Sequence, residues 1–285
     1  MKLGISTYSL YGALQRGEMT IQDVIVFIAS LGAEHAEIVP LGFNLTENPE
    51  LIEEIKKQAQ KSGIELSNYA VGANFSGLDD EQFEQEIERL KREVDIAAAL
   101  GVKKMRHDVA SSQNLSISNF LMELPRLAKA CQIVADYAAP HGITTSVENH
   151  GYYIQDSDRV QALIEVVDRP NFKTTLDIGN FLCVDENPYA AVLNNIGLAS
   201  MVHIKDFYYR PATDNPGEGW FKSKSGNWLR GAIVGHGDIA IPQVLGLVKD
   251  NGYDDFISIE FEGLEDCRLG TRLGFEFVKR VWNEL

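Results

Sequence analysis

The chain is poor in cysteine: its 285 residues hold three, Cys131, Cys183 and Cys267, far apart and with no CxxC pair. That odd, scattered set excludes a disulfide framework and a zinc knuckle, and the thiols read as reduced packing residues. Positive charge is also short, with 26 Lys and Arg against 41 Asp and Glu and a formal net charge of -15. A surface of that sign opposes binding to bare nucleic acid, whose phosphates need Lys and Arg. No stretch approaches the roughly 18 consecutive apolar residues of a membrane span, and MKLGISTYSL at the N-terminus lacks the long apolar core of a leader. The expectation is a cytoplasmic protein without a membrane partner. A glycine-rich phosphate loop is missing too: after the first strand-like segment stands STYSLYGAL, not GxGxxG. This weakens the case for a doubly wound dinucleotide-binding sheet.

What is present is regular alternation. Strand-like segments fall at 3–7, 36–39, 64–70, 102–107, 143–148, 172–177, 201–204 and 257–261. Helical patterns fall at 20–31, 47–62, 79–100, 116–139, 157–167, 186–196, 241–251 and 267–283. Gly32, Gly63, Gly101, Gly142 and Gly252 stand just past helix ends, where a left-handed residue stops the helix. Eight strands, each followed by a helix, predict an α/β fold, a (β/α)8 TIM barrel occupying 1–285 as one domain. One connection, 207–240, is unusually long and carries Arg210, Trp220, Phe221, Trp228 and Arg230. Such loops in compact domains are mostly functional or disordered. The aromatic content favours a structured lid after the seventh strand.

Four apolar runs in the second half each end in a residue able to bind a metal. They are ITTSVENHG with Glu148, FKTTLDIGN with Asp177, ASMVHIKDF with His203 and FISIEFEG with Glu260. Active sites of such barrels lie at the C-terminal ends of the strands. Singly, each residue has an ordinary reading as a cap, a core histidine or an ion-pair partner. Jointly, carboxylates converging without compensation would repel, and three carboxylates with one imidazole suit a divalent cation. Strand alternation agrees. With Glu148 inward, Ser146 and Thr144 are inward and Val147 and Ile143 outward. Asp177 brings Thr175 inward, and Glu260 brings Ser258. The predicted inner face beneath the site is therefore small and polar.

ENHG, LDIGN, HIKD and IEFEG, in this order, resemble the sugar phosphate isomerase/epimerase group of the xylose isomerase-like TIM barrels. LGIST, LGAEHAEIV and the GHGDI, NGYDDF and SIEFEG stretches extend the likeness over nearly the whole chain. The resemblance implies one divalent cation per chain on Glu148, Asp177, His203 and Glu260, with Mn²⁺ preferred and Mg²⁺, Co²⁺ or Zn²⁺ as alternatives. It implies catalytic proton transfer by Glu148 and Glu260. The reaction expected is isomerisation or epimerisation of a sugar, polyol or keto-sugar. A proton next to a carbonyl is abstracted and the enediolate is stabilised by the metal. Which glutamate is base and which acid is left open. The alternative is a dehydratase of the inosose or 3-dehydroshikimate type, and a non-catalytic sugar-binding barrel comes third. A nuclease like endonuclease IV would use several zinc ions and need more histidines. A homodimer or homotetramer is expected from the family alone.

Substrate contacts are expected from His150, two residues after Glu148, and from Lys205, two after His203. Further candidates are His107 at the end of the fourth strand, Asn180 three residues after Asp177, and Arg210 and Trp220 in the long connection. Asn180 stands where the family's ketose 3-epimerases carry a histidine, and Tyr209, followed by Arg210, where they carry an arginine. Both departures weigh against a simple ketose 3-epimerase. His236 is a lesser candidate from the long connection, and Trp228 a stacking or contact residue. Glu37 is read as anchoring a loop or orienting substrate, and His35 and His141 as structural.

Overall fold

In the computed structural model, which describes residues Met1–Leu285, eight parallel strands close into a barrel. The strands in chain order are β1 (Lys2–Ser6), β2 (His35–Ile38), β3 (Glu65–Val71), β4 (Lys104–His107), β5 (Thr144–Glu148), β6 (Phe172–Asp177) and β7 (Ala199–Ile204). Then come β8 (Asp206–Arg210), β9 (Phe221–Lys222) and β10 (Trp228–Ala232), which form a separate antiparallel sheet, and β11 (Phe256–Ile259), which closes the barrel against β1. Closure is in register, with Lys2 beside Phe256 and Ile5 beside Ile259. The helices are α1 (Tyr11–Gln15), α2 (Ile21–Ser30), α3 (Glu50–Ser62), α4 (Asp80–Leu100), α5 (Ile117–Ala138), α6 (Ser157–Val167), α7 (Pro188–Asn195), α8 (Ile241–Asp250) and α9 (Cys267–Glu284). None is long and apolar enough to cross a membrane.

Local chemistry sets the helix boundaries. Thr20 and Asp23 form a reciprocal cap on α2, and Asp79 and Gln82 do the same for α4. Gly63 and Gly101 end α3 and α4 in the left-handed conformation, at φ 72° and 81°. The helix expected from residue 47 begins only at Glu50. Asn44 Oδ1 accepts the amides of Thr46 and Glu47, which holds that stretch in a turn.

Strand alternation builds the two faces. Ile143, Val147, Leu176, Ile257 and Ile259 are fully buried outside the barrel wall under the helices. Inside, beneath the strand ends, Ser146 Oγ meets Thr175 Oγ1 at 2.8 Å. Buried Ser258 completes this small polar floor. His35, at the start of β2, is buried at the opposite rim with Nε2 on the Ile257 carbonyl.

The segment 207–240 is no open loop. The chain leaves β7 through Lys205 and at once becomes β8, which pairs with β10 from Asp206 beside Ala232 to Arg210 beside Trp228. Asp206 pins the return: its carboxylate accepts the amides of Phe207, Gly235, Gly237 and Ile239. A side chain on Gly237 would collide with that carboxylate, so the turn requires glycine there.

Candidate metal centre

The barrel brings Glu148, Asp177, His203 and Glu260 together, all buried, with one donor atom from each within 4.8 Å of the others. Glu148 ends β5, Asp177 ends β6, His203 lies one residue before the end of β7, and Glu260 follows β11 directly. Register delivers them at one height: Asp177 pairs with His203, and Ser258 with His203 on the other side.

Each donor is oriented by a neighbour. His203 Nε2 meets the Glu37 carboxylate at 2.9 Å, which leaves Nδ1 facing the cluster. Glu37 is itself held by Asn68 Nδ2 at 2.8 Å. Asp177 Oδ1 accepts the amides of Gly179 and Asn180, at 2.7 and 3.0 Å. Glu148 Oε1 lies 3.8 Å from His203 Nδ1, and Glu260 Oε1 lies 3.5 Å from it. The outer oxygens are held by cations. Arg106 Nε lies 2.6 Å from Glu148 Oε2, and Lys205 Nζ lies 2.9 Å from Glu260 Oε2 and 3.2 Å from Asp177 Oδ2.

Charge follows from these neighbours. Burial, the largest influence, pushes Asp177 up to about 6 against the pull of Lys205. Burial acts upward on Glu148 as well, yet the Arg106 guanidinium holds it well below the usual carboxylate range. Against burial, Glu37 holds the His203 imidazole well above its ordinary value, and the Lys205 ammonium is held charged by Asp177 and Glu260.

The donor set fits a divalent cation. His203 Nδ1 and Asp177 Oδ2 are buried and make no hydrogen bond, and both are donors of the cluster. Buried polar atoms without a partner are costly, and a cation between them removes that cost. The carboxylate behind the imidazole is the outer partner expected of a metal-binding histidine.

A cavity of about 440 Å³ opens from the cluster, bounded by Tyr8 and Glu262 near Glu260 and by Val39, Leu41 and Val71 further out. His150 and Lys205 line it. Asn180 does not: it is buried with Nδ2 on Glu148 Oε1 at 3.0 Å, so it supports the cluster. His107, expected at the pocket, faces the other way. It pairs with Val147 on the outer face, is wholly buried and lies 6.1 Å from the Phe172 ring. Its neighbour Arg106 reaches inward instead. The signal was Met105, whose apolar side chain belongs outside; one residue on, alternation turns Arg106 inward and His107 outward. Arg210 and Trp220 also lie outside the cavity wall. Arg210 pairs with Asp238, and Trp220 carries the guanidinium groups of Arg210 and Arg230 on its ring, each at 5.7 Å. Glu37 anchors no loop; it orients His203 across 166 residues of chain.

The family model described as xylose isomerase-like TIM barrel matches residues 25–281. No curated protein matches the chain in sequence. Among solved structures, the probable 3-DHS dehydratase AsbF of Bacillus anthracis superposes with a TM-score of 0.75 at 18% identity, covering 98% of this chain and 99% of that one. The 3-keto-D-glucoside 4-epimerase YcjR of E. coli gives 0.75 at 16% identity, covering 98% and 99%. A xylose isomerase-like TIM barrel protein of Mycobacterium smegmatis, solved with magnesium, gives 0.73 at 16% identity, covering 99% and 97%. At these identities the likeness is one of fold.

Proposed function

This chain belongs to the xylose isomerase-like TIM barrel family, and from that premise we propose a divalent-metal-dependent isomerase or epimerase of a sugar, polyol or keto-sugar. The observation that carries the reading is the convergence of three carboxylates and an imidazole, with His203 Nδ1 and Asp177 Oδ2 buried and making no hydrogen bond. Oxygen donors with a single nitrogen suit Mn²⁺ first, then Mg²⁺, Co²⁺ or Zn²⁺. A cation there would polarise a substrate carbonyl and its neighbouring hydroxyl, making the carbon-bound proton between them acidic.

The protein's own groups supply the rest. Glu148 and Glu260 stand three strands apart around the barrel, on either side of His203. Each offers a carboxylate oxygen from which a proton can be taken up and returned. His150 in the cavity wall is placed to hold a substrate hydroxyl. The acidic surface and small cavity suit a small molecule rather than nucleic acid.

A second reading is a dehydratase that expels a β-hydroxyl after the same proton abstraction. It is favoured by Lys205, whose ammonium beside Glu260 lines the cavity and could neutralise the charge that develops on a departing hydroxyl oxygen. The test is metal analysis of the purified protein, followed by incubation of ketoses and inososes with the Mn²⁺-loaded form in deuterated water. Deuterium at the carbon beside the carbonyl in a product of otherwise unchanged composition supports the isomerase. A product lighter by one water supports the dehydratase. Binding of sugar without exchange or turnover would leave a sugar-binding barrel.

A further inference from the structure

Arg106 adjoins the cluster at Glu148, and its surroundings define its job. It extends from β4 beside Ser146, two residues below Glu148 on the neighbouring strand, so its side chain crosses to the next layer of the barrel. The guanidinium makes two ion pairs and one hydrogen bond, and its contact with Glu148 is an ion pair rather than a hydrogen bond. Nε lies 2.6 Å from Glu148 Oε2, Nη2 lies 2.9 Å from Asp108 Oδ1, and Nη1 donates to the Val71 carbonyl at 3.2 Å. The residue is 9% exposed and lines the cavity beside Glu148. On its other side, Glu148 turns Oε1 to Asn180 Nδ2 and toward His203 Nδ1. The carboxylate is thus fixed against rotation, one oxygen to the arginine and one to the cluster.

We propose that Arg106 is a positioning residue that presents Glu148 to the metal: its guanidinium, tethered to Asp108 and the Val71 carbonyl, holds one carboxylate oxygen of Glu148 in an ion pair and leaves the other facing the cluster. This rests on the metal-site reading above. A guanidinium suits the task because its donors are rigid and it keeps its charge at any working pH. The arrangement also makes a prediction with an unusual sign. A positive charge next to a cation site repels the cation, so a mere bystander, once removed, would let the metal bind more tightly. A positioning residue, once removed, loosens the metal, because a ligand is lost from its place.

The experiment is Mn²⁺ titration by calorimetry of metal-stripped wild type, Arg106→Met, Arg106→Lys, Glu148→Gln and the Arg106→Met/Glu148→Gln pair. Arg106→Met is expected to bind Mn²⁺ at least about tenfold more weakly, although a positive charge has gone. Arg106→Lys, with the charge but not the fork, is expected to stay well below wild type. In the double variant the losses are expected not to add, since Arg106 acts through Glu148. Unchanged or tighter binding by Arg106→Met, wild-type binding by Arg106→Lys, or additive losses would each overturn the proposal. Should Arg106→Met not fold, Arg106→Lys and the double variant carry the decision, because the latter removes both buried charges together. Absence of Mn²⁺ binding by wild type itself would bring down the metal reading, and this inference with it; binding with additive losses brings down only the inference.

Discussion

Glu148 and Glu260 look alike in sequence, each a strand-end glutamate, yet their surroundings differ. Glu148 sits on the side of Arg106, whose guanidinium is also tied to Asp108 and the Val71 carbonyl. Glu260 sits on the side of Lys205, whose ammonium is shared among Asp177, Glu260 and Glu262. Beyond Arg106 the cavity opens along Val71 and Leu41. Beyond Glu260 the chain turns at Glu262 and Gly263 and is packed from behind by the antiparallel sheet, where Gly231 meets the Glu262 carbonyl. One edge of the cluster is held by a guanidinium alone, the other by a shared ammonium together with backbone packing. The lesson is that two equivalent donors can be held in place by unrelated means.

The comparison is broken most completely by removing the donor between the two edges. Asp177→Asn keeps an acceptor for the amides of Gly179 and Asn180, so the loop after β6 should hold. It removes the charge on the atom that has no other hydrogen-bond partner. Mn²⁺ affinity should fall by more than the roughly 10–100-fold that loss of an outer partner costs. Calorimetric titration of the metal-stripped variant checks this, and near-wild-type affinity would remove Asp177 from the ligand set.

Lys205→Met tests the Glu260 edge. It strips the ammonium from Asp177 and Glu260, leaving buried carboxylates uncompensated, which should cost the metal-free protein about 3–5 kcal/mol. A cation bound between the same carboxylates replaces the lost charge, so Mn²⁺ should raise the melting temperature more in the variant than in wild type. Thermal melts with and without Mn²⁺ decide it. Equal shifts would mean that lysine and metal do not serve the same carboxylates.

The two edges were unequally legible in the sequence. The four donors stood out because each polar residue interrupts an apolar strand, and strand alternation then sets which neighbours turn inward. Helix ends were legible for the same local reason, through Asp79, Thr20 and the glycines that follow. What could not be read was pairing across the barrel. Glu37 finds His203 only because closure of β1 against β11 brings β2 within three strands of β7, so that their side chains meet across the barrel interior. Arg106 and His107 are adjacent and both polar, so naming the wrong one needed only a slip of one residue in strand parity. The sheet from 206 to 232 was hidden because its register depends on Asp206 gathering amides some 30 residues away.

That sheet supplies the last and smallest contrast. Trp220 and Gly231 belong to the same excursion, and the fold assigns them opposite weight. A Cβ on Gly231 would lie 2.5 Å from the Glu262 carbonyl oxygen, so Gly231→Ala must push the backbone two residues beyond Glu260. Overpacking of this kind costs about 1–3 kcal/mol, and here the strain falls on the metal cluster. Gly231→Ala should therefore lose both melting temperature and Mn²⁺ affinity, the second by several-fold. Trp220 packs against Arg210 and Arg230 outside the cavity, and Trp220→Ala should shift stability by no more than about 0.5 kcal/mol. Its Mn²⁺ affinity, and the KM for any sugar the protein is found to turn over, should stay within about twofold of wild type. A large rise in KM for Trp220→Ala, with affinity for the metal unchanged, would mean that the sheet reaches the substrate directly rather than bracing Glu260 from behind.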